Sequence, residues 1–425
     1  MKRLIAILCL LVMLVGALAG CNPNGEGETT SPETTAAPNA KDILINGTHL
    51  SEYVLVFPTG DAYIKAELNK LQQSVESKTG VRLAIHTDAD KAAAHEIIVG
   101  NTKRDTSSYC GEIGPDRYAY CSDGTHVLLT SKYQKGIIQA IRSFEAQVAK
   151  LVDLTIEKNK TYLCENLSTM SFNVLYTQEP ARWNAVVELI LNYMPDTIGM
   201  QETTTYWLEY LQQAAPKFTE HYTVLEFKQR NTTGGKGETR ELICFRKDRF
   251  TSLETNTKWL SETPNVENTY FADASSPQRR ILNYVKLKDK VTGKEVIHAN
   301  THLEHIKADV NLKQAKVVLN IMKEFEGKNL LLTGDFNAKK DTSETYKLIN
   351  GSDFLRDSAV VSKYVLGDGK TMPVGKPTTT IDFCFVSHKT MDVEFHTVLN
   401  QQVKTTSYEG YPSDHLPVLV VYNLK

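Results

Sequence analysis

Asn329-Leu330-Leu331-Leu332-Thr333-Gly334-Asp335-Phe336-Asn337 decides the fold. An apolar run of strand length ends on a carboxylate and an amide. The same design recurs along the second half of the chain. Residues 170–174 form an apolar strand carrying Asn173, and residues 197–202 form a buried strand that ends on Glu202. Residues 296–302 end on His302, residues 380–386 carry Asp382, and Asp414-His415 stands just before the apolar run 416–422. A charged or amide side chain at the end of an apolar strand is costly if buried without a partner. One such end is a cap or a surface end. Repeated along the chain, they predict a shared polar pocket at one edge of a pair of sheets. Acidic and amide oxygens with no cysteine cluster suit a hard divalent ion, Mg²⁺ or Mn²⁺, rather than a structural zinc.

Six pieces carry a resemblance. They are Ser171-Phe172-Asn173, Gln201-Glu202, Asn300-Thr301-His302-Leu303, Gly334-Asp335-Phe336-Asn337, Ile381-Asp382-Phe383 and Ser413-Asp414-His415-Leu416-Pro417. In this order they resemble the endonuclease/exonuclease/phosphatase superfamily, over about residues 168–425. Lys258-Trp259-Leu260-Ser261-Glu262-Thr263-Pro264 resembles a stretch common in its secreted members. The resemblance implies an α/β (α+β) fold, a four-layer α/β/β/α sandwich of the deoxyribonuclease I-like type. It also implies a metal-dependent phosphoric ester hydrolase that uses in-line attack of water.

The resemblance further implies roles. Glu202 would be the principal metal ligand, helped by Asn173, with Asp414 a second ligand or a support. Asp335 would position or deprotonate the attacking water, and Asn337 would orient it or the phosphate. His415 would sit on the phosphate, with Asp382 fixing its tautomer. His302 would contact a non-bridging phosphate oxygen or protonate the leaving group. Arg280, just before the strand at 282–285, is a candidate phosphate contact because guanidinium forks suit phosphate. His415 opens the final strand, so its loss is expected to cost little stability.

The chain has 425 residues, 41% hydrophobic and 23% charged, an ordinary globular composition. Lys+Arg 48 against Asp+Glu 50 leaves a net charge of -2, without the basic excess of a tight duplex nucleic-acid binder. Seven cysteines are too few for a disulfide scaffold. Lys2 and Arg3 precede an apolar run over 4–19 that ends in Leu18-Ala19-Gly20-Cys21. This resembles a bacterial lipoprotein signal, cleaved before Cys21 with lipidation of its thiol. Residues 21–40, rich in Gly, Pro, Thr, Ser and Glu, read as a flexible linker. The expected location is the extracytoplasmic face of the cell membrane, and the expected state is a monomer.

Residues 41–166 read as a small α/β accessory domain, and residues 167–425 as the catalytic one. The spacing predicts strands at 53–57, 81–85 and 96–99, a hairpin over 118–129, a helix from Asp61 as N-cap to Gly80 as C-cap, and a helix over 136–152. The order is similar to the small domain that precedes the catalytic domain of some glycoside hydrolases. No catalytic constellation stands out among His86, His95 and His126. Cys110 and Cys121 are a candidate bridge or two free thiols. Arg240, Arg246, Lys247 and Arg249 read as the charged ends of a strand.

Three functions fit. The first is a cell-surface metal-dependent phosphoesterase acting on a phosphodiester or phosphomonoester. The second is an extracellular nuclease, and the third a glycan- or ligand-binding surface lipoprotein with a decayed catalytic unit. The full set of polar strand ends argues against decay, and the balanced charge argues against the nuclease.

Overall fold

Two sheets face each other in the second half of the chain. The structure, a computed structural model, describes residues 43–274 and 279–425. The signal, the linker and Cys21 lie outside the described residues. One sheet has seven strands and contains Leu167–Asn173, Thr197–Thr203, Arg240–Arg246 and Val418–Leu424. The other has six and contains Ile281–Asp289, Glu295–His302, Leu330–Asp335 and Asp382–Val386.

The alternation of side chains along each strand builds the layers. Leu330 and Leu332 pack outward with Val318, Met322 and Ile349 of the helices Ala308–Lys323 and Glu344–Asn350. Leu331, between them in sequence, points inward with Ile243, Phe245 and Val420 of the other sheet. On the far side Leu242 and Cys244 pack with Val186 and Ile190 of the helix Pro180–Tyr193. The result is the expected order of helices, sheet, sheet, helices.

The middle of the sandwich is polar as well as apolar. Gln201 Nε2 donates to Asn300 Oδ1 at 2.7 Å, and Asn300 Nδ2 donates to the carbonyls of Met200 and Leu242, both at 2.9 Å. Ser171 Oγ accepts the Gly334 N–H across the sheets at 3.0 Å. At Gly199 a Cβ would lie 2.0 Å from Thr333 Oγ1, so only glycine lets the sheets close here. Ser171, Gln201 and Asn300, quoted above as motif residues, therefore fix sheet against sheet beneath the site.

Residues 43–166 form a third, six-stranded sheet with the helices Ala62–Thr79 and Gln134–Val148. Asp61 caps the first helix by accepting the Ile64 N–H at 2.9 Å, and Gly80 closes it with φ 72°. The hairpin is present as Arg117–Ser122 and Val127–Ser131. The strand expected at 81–85 instead runs Ala84–Thr87, because Leu83 turns into the core and pairing with Val54–Phe57 begins only at Ala84. The second helix ends at Val148 rather than at 152. Cys110 and Cys121 are free thiols buried in one small cluster.

The accessory sheet is bolted to the catalytic layers. Its core includes Phe395 and Val421 of the seven-stranded sheet. Asp116 accepts ion pairs from Lys135 at 2.9 Å, Arg246 at 3.0 Å and Arg249 at 3.1 Å, and Lys135 also reaches Asp196 at 2.6 Å. Arg246 and Arg249, read from the sequence as charged ends of a strand, are thus buried at this junction.

Candidate active site

Strand register brings the polar ends level. His302 is the paired neighbour of Asp335 in the parallel ladder, and Asp335 is the paired neighbour of Asp382 in the antiparallel one. In the facing sheet Asn173 lies beside Gln201, and a bulge between Met200 and Thr203 turns Glu202 out of the ladder. Leu175, Glu202 and Asn337 all have left-handed backbone, with φ of 58°, 61° and 47°. Non-glycine residues held this way cluster where surrounding bonds over-determine the backbone, commonly at functional sites. Here Asn337 N–H donates to Asp335 Oδ1 at 2.9 Å, and Leu175 N–H donates to Asn173 Oδ1 at 3.1 Å.

Hydrogen bonds join the two sheets at this edge. Asn173 Nδ2 donates to Glu202 Oε1 at 3.2 Å and to Asp335 Oδ2 at 3.1 Å. It thus presents its amide nitrogen, not its oxygen, to the two carboxylates. Asp382 Oδ2 lies 2.9 Å from His415 Nδ1, and His415 Nε2 lies 3.8 Å from Asp335 Oδ2. Asn337 Nδ2 is 2.9 Å from His302 Nε2, which lies 3.5 Å from Asp335 Oδ2. Seven of the residues singled out from sequence therefore meet here: Asn173, Glu202, His302, Asp335, Asn337, Asp382 and His415. Asp414 is exposed and accepts the Ser413 hydroxyl at 3.3 Å. Arg280 is buried and donates from Nη2 to His305 Nδ1 at 3.2 Å.

The charges are set by burial and by each other. Burial, followed by the charge of Asp382, pushes the Asp335 carboxyl up to about 7. Burial works against a charged His415, but Asp382 and then Asp335 outweigh it and hold the imidazolium up to about 10. His415 is only 6% exposed, so the expectation that its loss would cost little stability does not hold. Removing it leaves two carboxyls buried together. His302 is held well below its usual range by burial, then by Arg280 and Arg230, and is neutral.

Two oxygen sites for a cation can be compared. Ligand atoms of Asp335, Asp382 and His415 lie within 4.8 Å of one another. A cation there would have to displace the proton shared by His415 and Asp382. Glu202 is the better fit. Its oxygens accept N–H groups from Asn173 and Tyr176 at 3.2 and 3.3 Å, long contacts that leave lone pairs for a hard ion. Beside Asn337 a cleft of about 440 Å³ is lined by His305, Asp309, Lys339 and Thr342.

Sequence spacing does not reveal Arg182, Arg230 or Glu241. Arg182 is buried and donates to the carbonyls of Val174, Leu175 and Thr177 and of Pro412, tying the segment after Asn173 to the one before His415. Its partners are main-chain carbonyls, which leave no trace in residue type.

A polar pocket of carboxylates, amides and histidines at the common edge of a four-layer sandwich defines a phosphoester hydrolase class. The Endonuclease/Exonuclease/phosphatase family matches over residues 170–415, more than half of the chain. The chain belongs to this family, whose members are phosphoester hydrolases and usually use divalent metals. It is similar to an endonuclease/exonuclease/phosphatase family protein of Bacteroides thetaiotaomicron, with 26% identity and a TM-score of 0.55, covering 61% of this chain and 98% of that one. A mannosyl-6-phosphatase of the same species is 26% identical with a TM-score of 0.53, covering 60% of this chain and 98% of that one. A family member from Bacteroides vulgatus is 26% identical with a TM-score of 0.53, covering 61% and 99%. Nothing matches among curated proteins.

Proposed function

We propose that the protein is a divalent-metal-dependent phosphoesterase that hydrolyses a phosphomonoester by in-line attack of water. It would work at the extracytoplasmic face of the cell membrane, anchored by lipid on Cys21. The observation that carries the reading is the hydrogen-bonded run from Glu202 through Asn173 to Asp335, with the Asp382–His415 pair beside it. Asp335, with its carboxyl near 7, can take the proton of water as the water oxygen attacks phosphorus. The bond from phosphorus to the ester oxygen breaks, and that oxygen leaves as an alcohol after taking a proton from solvent. The His415 imidazolium, held by Asp382, offers positive charge and an N–H to the phosphate oxygens. Glu202 would hold the cation, which when bound would neutralise phosphate charge, and Asn173 would orient the Glu202 carboxylate by its N–H.

The similarity to a mannosyl-6-phosphatase supports a sugar phosphomonoester as the substrate class. The test is a panel of p-nitrophenyl phosphate, bis-p-nitrophenyl phosphate, hexose 6-phosphates and DNA, with Mg²⁺, Mn²⁺ or EDTA. Metal-dependent phosphate release from hexose 6-phosphates is expected. Preference for DNA would favour a nuclease, and full activity after exhaustive chelation would overturn the metal role. Cys21→Ser is expected to release the protein from the membrane fraction or leave its signal unprocessed. Unchanged partition and processing would contradict the anchor.

A further inference from the structure

A second line of hydrogen bonds reaches His302 from the strand Arg240–Arg246. Glu241, wholly buried, accepts the Nε–H of Arg230 at 2.8 Å and its Nη2–H as well. The same Nη2 lies 2.9 Å from His302 Nδ1. The main chain of Arg230 is fixed on both sides. Its N–H donates to the Thr239 carbonyl at 3.0 Å, and its carbonyl accepts the Trp259 indole N–H at 3.0 Å. This gives the buried Trp of Lys258-Trp259-Leu260-Ser261-Glu262-Thr263-Pro264 a place in the site.

The polarity of this chain is unambiguous, because a guanidinium has donors and no acceptor. His302 Nδ1 must therefore present its lone pair to Arg230. The single proton of the neutral ring is then on Nε2, since the bond made by one ring nitrogen sets the state of the other. A second proton on Nδ1 would set N–H against N–H beside a positive charge. A proton on Nε2 needs an acceptor at the Asn337 side chain, 2.9 Å away, so with this tautomer the Asn337 amide presents its oxygen to His302, while Asp335 Oδ2 lies 3.5 Å from the same N–H.

We propose that Arg230, braced by Glu241 and Trp259, is a positioning residue that locks His302 as a neutral Nε2–H donor. His302 then hydrogen-bonds a phosphate oxygen and does not protonate the leaving group. Of the two roles the sequence leaves open for His302, the guanidinium selects one. The inference rests on the phosphoesterase reading for its substrate, and on Arg230 alone for its tautomer.

The test reads the ring directly. The full chain is labelled with ¹⁵N-histidine, and the His302 signals are assigned by their loss in His302→Gln. Between pH about 6 and about 8 the wild type is expected to show an unprotonated Nδ1 and a protonated Nε2. A protonated Nδ1, alone or in an imidazolium, overturns the proposal whatever the activity. In Arg230→Met the tautomers are expected to mix. The kcat on p-nitrophenyl phosphate should fall about 10–100-fold, as for other partners that orient a working histidine, while KM moves far less. Arg230→Lys, which keeps a donor, should recover part of both. An Arg230→Met enzyme that is folded and keeps full kcat, with the wild-type tautomer, also overturns the proposal. If Arg230→Met does not fold, the wild-type spectrum still decides. The nitrogen shifts are read without turnover, so their failure and the failure of the phosphoesterase reading are separate results.

Discussion

Asp382 opens a strand of one sheet, His415 lies in the bend just before the strand Val418–Leu424 of the other, and they meet with Oδ2 2.9 Å from Nδ1. The pair closes the sandwich at the edge where Asp335 lies. Its negative charge is what keeps a buried imidazole doubly protonated. Asp382→Asn keeps the shape and removes that charge. Burial then dominates, and His415 becomes neutral at physiological pH. The kcat is expected to drop about 10²–10⁴-fold, the range for a group that moves or donates a proton in the transition state. Circular dichroism checks the fold. A folded Asp382→Asn enzyme with unchanged kcat would show that the pair is structural.

The stability of the metal-free protein should fall as pH rises, for two groups with the same sign. The Asp335 carboxyl is pushed up from its ordinary 3.8 to about 7. Its contribution is fully present below the unfolded value and is lost as pH rises through about 7. The His415 imidazole is pushed up from 6.5 to about 10, so its contribution is present below the unfolded value and is lost as pH rises through about 10. Melting in EDTA at pH about 5 and about 8 tests the first group. The midpoint of the wild type should drop more between these values than that of Asp335→Asn, which has no carboxyl to ionise. At pH about 8 the variant should be the more stable and nearly inactive protein. Equal drops in the two proteins would show that Asp335 ionises normally.

Strand ends were legible because each carries its own signal. In Leu330–Asp335 an apolar run stops on a carboxylate within one element, and nothing distant is needed to read it. The register that makes His302, Asp335 and Asp382 neighbours was not legible, since it depends on pairing between segments. The same holds for Arg230, whose role depends on Glu241 and His302, 11 and 72 residues away. The burial of Arg246 and Arg249 was not legible for a related reason. Charges at the end of a strand look solvated until a partner such as Asp116, 130 and 133 residues away, is brought to them. The strand displaced to Ala84–Thr87 shows the limit of local pattern, because Val81 and Leu83 are apolar and buried without being paired.

Glu202 is expected to be the residue on which metal binding depends. An ion at 100 times its dissociation constant stabilises the folded state by about 2.7 kcal/mol. Thermal melting with and without Mg²⁺ or Mn²⁺ should therefore show a clear upward shift for the wild type. Glu202→Gln keeps the contacts to Asn173 and Tyr176 within reach but lacks the charge, and should lose both the shift and activity. A Glu202→Gln protein that still shifts by the wild-type amount would move the ion to the Asp335, Asp382 and His415 cluster.

The accessory unit is expected to be indispensable for folding, although it supplies none of the catalytic candidates. Asp116 stands between Lys135, Arg246 and Arg249, and the three cations are almost fully buried. Asp196 and Asp289 balance two of these charges from within, while the third carboxylate, Asp248 on Arg246, is exposed to solvent. Breaking a buried pair by removing one partner leaves the other charge uncompensated, at about 3–5 kcal/mol. Asp116→Ala should therefore lower stability to denaturant by about 3 kcal/mol, the low end because its side chain is partly exposed. Its kcat per folded molecule should be unchanged. Residues 167–425 expressed alone would expose Phe395, Val421, Arg246 and Arg249 together, and should be insoluble or unfolded. A soluble, cooperatively melting fragment with normal kcat would show that residues 43–166 are a detachable spacer and that the junction contributes nothing to the catalytic fold.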